Sequence, residues 1–254
     1  MSDQPLLDIR DLSCRLGTVA VLDGISLQLH AGEFVSILGP SGAGKSTLFR
    51  ILTGSVAKTG GSIRMNGNAL DSETRPFAFM PQRDALMPWR RLLANAALGL
   101  EMAGMSRRDA SAEITPLLAE FGLEGFERSW PHELSGGMRQ RVALLRTVVQ
   151  QRPILLLDEP FGALDALTRL KMQRFLEALC LRRGLSVILI THDVREAVLL
   201  SDRIYLFSPR PARIVLETAV RLPRPRTEPG SQQTDVIAIE NRILATLFEG
   251  EDQP

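Results

Sequence analysis

The sequence predicts an α/β fold built on a parallel sheet, with an antiparallel β region ahead of it and a block of helices inserted into it. Three observations carry that expectation. Short β-rich runs punctuated by Gly and Asp fill the first eighty or so residues, helical patterning occupies about 91–151, and strand runs then return, joined by helix-compatible sequence.

In chain order, residues 6–9 and 25–29 open the β region. Ile25, Leu27 and Leu29 alternate with Ser26 and Gln28, as in a strand buried on one face. Residues 34–38 are almost continuously apolar, which marks a strand covered on both faces, as in a parallel core. Residues 62–65 and 77–80 complete the first set. In the helical block, Ser106 with Asp109 three residues later signals a helix start, Gly122 signals a stop, and Pro116 between them kinks or divides the segment. Strand runs follow at 154–158, 186–191 and 203–207. Pro209, Pro211, Pro223, Pro225 and Pro229, interleaved with Arg210, Arg213, Arg221, Arg224 and Arg226, then read as a solvated linker. Val236, Ile239, Ile243, Leu244 and Leu247 keep helical spacing behind a possible cap at Thr234. The expected organisation is one domain over 1–208, its helical part at about 91–151, and a linker with a short helix over 209–254.

The chain has 254 residues, 44% hydrophobic and 23% charged, with a net charge of +1. These are globular values, and the charge balance supplies no field to draw in nucleic acid, so none is expected as a partner. No apolar run approaches the roughly 20 residues of a membrane-spanning helix. The first residues, with Asp3 and Asp8, lack the layout of a secretory signal, and Cys14 and Cys180 are too isolated for a disulfide framework or a thiolate metal site. A cytosolic location is expected.

Chemistry concentrates at strand ends. Gly39-Pro40-Ser41-Gly42-Ala43-Gly44-Lys45-Ser46 leaves an expected strand and enters a helix at Thr47, the setting of a phosphate-binding loop. Its glycines let successive N–H groups close on phosphate, the helix N-terminus adds positive charge, Lys45 neutralises the β and γ oxygens, and the Ser46 hydroxyl can ligate Mg²⁺. The apolar run 154–157 ends in Asp158 and Glu159. Parallel sheets bind ligands at the carboxyl ends of their strands, so Asp158 is placed to hold the magnesium shell and Glu159 to orient a water for in-line attack. His192, at the end of the next run, shares that edge and is expected to touch the γ-phosphate or the attacking water. Gln82, just past 77–80, could sense Mg²⁺ or that water through its amide. Leu134-Ser135-Gly136-Gly137 opens a long helix. Ser135 alone reads as an N-cap, but with one phosphate cradle already present, a second amide-rich helix start reads as facing a phosphate from another subunit.

Together and in this order, these stretches resemble the ATP-binding cassette ATPases of membrane transporters, over roughly residues 7–207. The resemblance implies a P-loop NTPase core of RecA-like fold with an antiparallel β subdomain and an inserted α-helical subdomain. It implies a head-to-tail homodimer with ATP held between Gly39 to Thr47 of one chain and Ser135 to Gly137 of the other. It makes Glu159 the catalytic carboxylate, Gln82 the Q-loop residue, Asp165 part of the D-loop at the dimer seam and His192 the switch histidine. It further implies integral-membrane permease subunits and a separate solute-binding protein as partners, with the chain peripheral on the cytoplasmic face of the cell membrane. Leu86-Met87-Pro88-Trp89-Arg90 and Gly99-Leu100-Glu101 look like the importer branch that serves nitrate, sulfonates such as taurine, and pyrimidine precursors. Trp89 is then either a contact to the permease or a core residue. The family's aromatic base-stacking position falls on Leu16, with Val21 further along that wall. Stacking is worth about 1–3 kcal/mol per base in single-strand binding proteins, so leucine there should weaken ATP binding. The short interval between the nucleotide motifs disfavours a DNA-acting relative, which would place a long coiled coil there, and a guanine-reading Asn-Lys-x-Asp is missing from the sequence.

Overall fold

The computed structural model describes residues 4–70, 76–227 and 233–249. An antiparallel sheet is made by β1 (Leu7–Leu16), β2 (Val19–Leu29), β4 (Gly60–Met65) and β5 (Asn68–Ala69), in the order β2-β1-β4-β5. Between them in sequence lie β3 (Phe34–Leu38) and α1 (Lys45–Leu52), which belong to the larger sheet. That sheet adds β6 (Phe77–Met80), β7 (Ile154–Asp158), β8 (Ser186–Ile190), β9 (Arg203–Phe207) and β10 (Ile214–Ala219), in the order β10-β9-β3-β8-β7-β6. All its pairings are parallel except β9 with β10.

The reading of 34–38 as a strand covered on both faces holds, and the buried run 154–157 has the same setting. Leu155 and Leu157 point into a core shared with the helical block, while Ile154 and Leu156, alternating with them, enter a second core against α1 and the antiparallel sheet. The sheet is therefore held from both sides, and the loops at its carboxyl edge sit on a rigid support.

The helical block is more broken than its periodicity suggests. It contains α2 (Leu92–Ala96), α3 (Leu98–Met102), α4 (Arg107–Ile114) and α5 (Gly136–Val148), with a 3₁₀ turn at Thr115–Leu117. Ser106 caps α4 by accepting from the Asp109 N–H at 3.2 Å, and Pro116 lies in the 3₁₀ turn where α4 gives way. Gly122, at φ +62°, closes the turn that follows. Asn95 is wholly buried and ties the 87–90 loop to α2: its Oδ1 accepts from Met87 N at 2.7 Å, and its Nδ2 donates to Arg90 O at 2.8 Å.

The remaining helices are α6 (Ala166–Arg183), α7 (Val194–Leu200) and α8 (Gln233–Glu249). α8 packs Val236 and Ile243 onto a third core formed with α7 and β9. Thr234 is inside α8, and the residues just before the helix lie outside the described ones.

As far as Thr227 the Pro/Arg segment is not a solvated linker; Pro229 lies outside the described residues. It supplies β10 and then folds back along α6, where the buried Glu177 accepts from the Arg226 N–H at 2.8 Å and the Thr227 hydroxyl at 2.6 Å, and pairs with Arg224 at 3.4 Å. Arg224 also reaches Asp202 at 2.8 Å. Burial, and then the charge of Arg224 beside it, lower the Arg226 guanidinium to about 10. The composition suggested solvent because the compensating acids lie far away in sequence. Cys14 and Cys180 are both buried and unlinked.

Candidate active site

The loop after β3 turns where only glycine fits. A Cβ at Gly39, whose φ is +152°, would stand 2.8 Å from the carbonyl oxygen of Phe207, and one at Gly44, φ +107°, would stand 2.8 Å from Val21 Cγ1. The loop is thus pressed between the end of β9 and the β2 wall. Gly44 begins α1 with no side-chain cap and no acidic residue in the first turn, so the opening amides of this helix are left for an anion. By contrast α5, α6 and α7 are capped by Ser135, Asp165 and Asp193.

Lys45 is 5% exposed, and its Nζ donates to Gly39 O at 2.7 Å and Pro40 O at 2.9 Å. Burial lowers the pKa of its ammonium, while Glu159 and Asp158 work in the opposite direction. The Ser46 hydroxyl lies 3.3 Å from Asp158 Oδ1. Desolvation raises the Asp158 pKa, offset in part by that hydrogen bond.

Glu159 adopts φ +44°, in the left-handed region that a non-glycine residue enters only against a cost of order 1–3 kcal/mol. Its N–H is held by Ile190 O at 2.9 Å. Its Oε2 accepts from Gln82 Nε2 at 2.9 Å and lies 3.2 Å from His192 Nδ1. Residues carried at the ends of β6, β7 and β8 thereby converge on one carboxylate oxygen. They line a cavity of about 410 Å³ together with Ser41, Gly42, Gly44 to Thr47 and Arg210. Arg210 was not singled out from the sequence; no local pattern distinguishes it from its neighbouring arginines.

The other expected residues lie elsewhere. Leu16 is 38% exposed at the hairpin end of β1, and Val21 packs against Gly44; neither lines the cavity. Ser135 caps α5 through Met138 N at 3.3 Å, and a Cβ at Gly137 would lie 2.7 Å from Thr168, in the first turn of α6 that Asp165 caps. Ser135, Gly136, Gly137 and the Asp165 turn are therefore one neighbourhood, separate from the cavity lining. Trp89 is 72% exposed, which removes the core alternative.

Comparison with known proteins supplies the family. The family model described as ABC transporter matches residues 22–162. The chain belongs to the ABC transporter family. The aliphatic sulfonates import ATP-binding protein SsuB of Albidiferax ferrireducens is 42% identical over 97% of this chain and 84% of its own length. The protein of the same name in Ralstonia nicotianae is 47% identical over 84% of this chain and 72% of its own length. Among solved structures, a dimeric ATP-binding cassette in a post-hydrolysis state with ADP and Pi superposes with a TM-score of 0.72 at 30% identity, covering 85% of this chain and 99% of that one.

One ABC cassette residue outside the cavity titrates unusually. Glu196, in the first turn of α7 and 4% exposed, is pushed up to about 8, first by burial and then by Asp193, against hydrogen bonds from Thr191 and Gln173 and the charge of Arg169. A folded-state value above the unfolded one means the native chain holds the extra proton between about 4.5 and 8, so stability falls as pH rises through that window. Glu196→Gln is expected to raise the unfolding temperature at pH 8 and flatten its dependence between pH 5 and 9. Melting curves of both chains check this, and parallel profiles would refute it.

Proposed function

We propose that this chain is the ATP-hydrolysing subunit of a bacterial importer for sulfonate-type solutes, working as a homodimer beneath two permease subunits. The observation that carries the hydrolytic reading is the shared Glu159 Oε2, held by Gln82 and His192 at the mouth of the phosphate loop. A carboxylate fixed from two sides stands ready to orient a water and take its proton. Gly39 to Thr47 would cradle the triphosphate, with Lys45 against its terminal oxygens. Ser46 and Asp158 offer a hydroxyl and a carboxylate 3.3 Å apart, hard oxygen donors of the kind Mg²⁺ accepts while keeping phosphate and water ligands. When bound there, the ion would neutralise phosphate charge; Gln82 stands at the same cavity and is the further candidate to sense it.

Leu16 and Val21 would form the base wall. Ser135, Gly136, Gly137 and Asp165, grouped away from the cavity, would meet the nucleotide held by the partner chain. Trp89 projects from a loop secured by Asn95 and by the Arg90–Glu101 ion pair at 2.6 Å. That exposed aromatic on a fixed base suits a permease contact. Among the described residues no helix is long and apolar enough to cross a membrane, so the solute route would belong to partner chains, with this subunit on their cytoplasmic face.

The names of the curated relatives support sulfonates over nitrate or pyrimidine precursors. The test is reconstitution in proteoliposomes with the permease subunits and binding protein of a sulfonate importer. An alkanesulfonate should stimulate ATP hydrolysis severalfold. Stimulation by nitrate alone would reassign the solute, and a failure of any solute to stimulate an ATPase-active complex would oppose the importer reading.

A further inference from the structure

Arg210 is the cavity residue to which the preceding reading gives no role. It lies in the loop between β9 and β10, and that loop is pinned at several points. Ala212, fully buried, donates to Val21 O at 2.9 Å and accepts from Asp23 N at 2.9 Å. Ser208 N donates to Arg213 O at 2.9 Å, and Ser208 Oγ accepts from Arg213 N at 3.0 Å. Arg213 pairs with Asp23 at 2.5 Å. The loop thus rides on β2, the strand whose Val21 packs against Gly44 of the phosphate loop.

Arg213 and Arg210 end up with opposite fates. Arg213 is neutralised by Asp23, as Arg203 is by Glu33 and Arg224 and Arg226 together are by Asp202. Arg210 makes no hydrogen bond or ion pair among the described residues, and its Nη2 lies 4.0 Å from where a Cβ on Gly42 would stand. An exposed, unpaired guanidinium is ordinary on a surface. One held over the tip of a phosphate loop, on a backbone tied down on both flanks, is preorganised for an anion, because its planar fork matches phosphate oxygens in pairs.

We propose that Arg210 is a nucleotide-binding residue that grips the phosphate chain from above Gly42 and supplies a second cation beside Lys45. The proposal rests on the reading of this cavity as the ATP site. It also bears on Leu16: where the base wall offers no aromatic stacking, phosphate contacts carry more of the affinity.

The test is competition binding against a fluorescent ATP analogue, using the full chain with ATP, ADP and inorganic tripolyphosphate, which has neither base nor ribose. Arg210→Ala should weaken all three by about tenfold to a hundredfold and flatten their salt dependence, with Arg210→Lys recovering part of the loss. An unchanged tripolyphosphate affinity in Arg210→Ala would overturn the proposal, whether ATP affinity also stayed unchanged or fell through a base contact. So would unchanged affinities with loss of ATP-driven dimerisation, since Arg210 would then face the partner chain. Lys45→Ala separates the two levels: if it loses ATP while Arg210→Ala does not, only this inference fails; if Lys45→Ala binds ATP normally, the assignment of the cavity itself fails.

Discussion

Lys45→Ala is expected to reduce ATP turnover to background and to weaken ATP binding by about a hundredfold to a thousandfold, the usual consequence of removing one partner from a buried charge contact. The fold should survive. The Lys45 pKa is depressed by burial, so its charge is held in place at the expense of stability, and its ammonium donates to the Gly39 and Pro40 carbonyls of its own loop. A thermal-shift titration makes the distinction cleanly. ATP at a hundred times its dissociation constant should stabilise the native chain by about 2.7 kcal/mol, and the same concentration should leave the variant nearly unmoved. A Lys45→Ala chain that still hydrolyses ATP at a tenth of the native rate would remove this side chain from the centre of the mechanism.

Glu159→Gln should separate binding from chemistry. With its amide oxygen in the place of Oε2, the glutamine can still accept from both Gln82 Nε2 and a His192 Nδ1–H, so the two contacts at 2.9 and 3.2 Å need not be lost. What disappears is the capacity to take a proton from water. Turnover should therefore fall by about 10² to 10⁴ with ATP affinity kept, and ATP-loaded dimers should accumulate in sedimentation runs with Mg²⁺. Loss of affinity in step with turnover would make Glu159 a structural support for the loop instead. The backbone at φ +44° is already fixed by Ile190, so the substitution should not disturb it.

Much of this site could be read from the sequence, because its parts are contiguous. A strand, its terminal turn and the following helix are contiguous from Phe34 to Leu52, and the strand end at 154–159 is equally local. Double-sided burial, visible as unbroken apolar runs, identified β3 and β7 and with them the edge on which Gln82, Glu159 and His192 meet. Information was lost wherever a contact spans the chain. The arginines of the C-terminal segment resemble a solvated tract until Asp202 and Glu177 are seen beside them, and β10 is too amphipathic and too close to prolines to stand out. The helical block is less continuous than its periodicity suggests, because tertiary contacts within these short helices, Asn95 of α2 to the 87–90 loop and Gly99 of α3 against Arg146 and Gln150, compete with local propensity. Arg210 could be found only by its position in space. Leu16 was placed by the family resemblance and its spacing from Lys45, and it stands 38% exposed outside the cavity lining.

The return of residues 224–227 onto α6 has a consequence for biosynthesis. Glu177 is 1% exposed, and the backbone amide that answers it is made 49 residues later. A buried carboxylate whose cation is withheld destabilises its surroundings by about 3–5 kcal/mol. While the polypeptide is still emerging from the ribosome, the strands before residue 224 can associate, yet Glu177 lacks its partners until Arg224 and Arg226 have followed. Residues 224–227 thus complete the seat of α6, and the helix is fully anchored only once the segment that follows β10 has folded back.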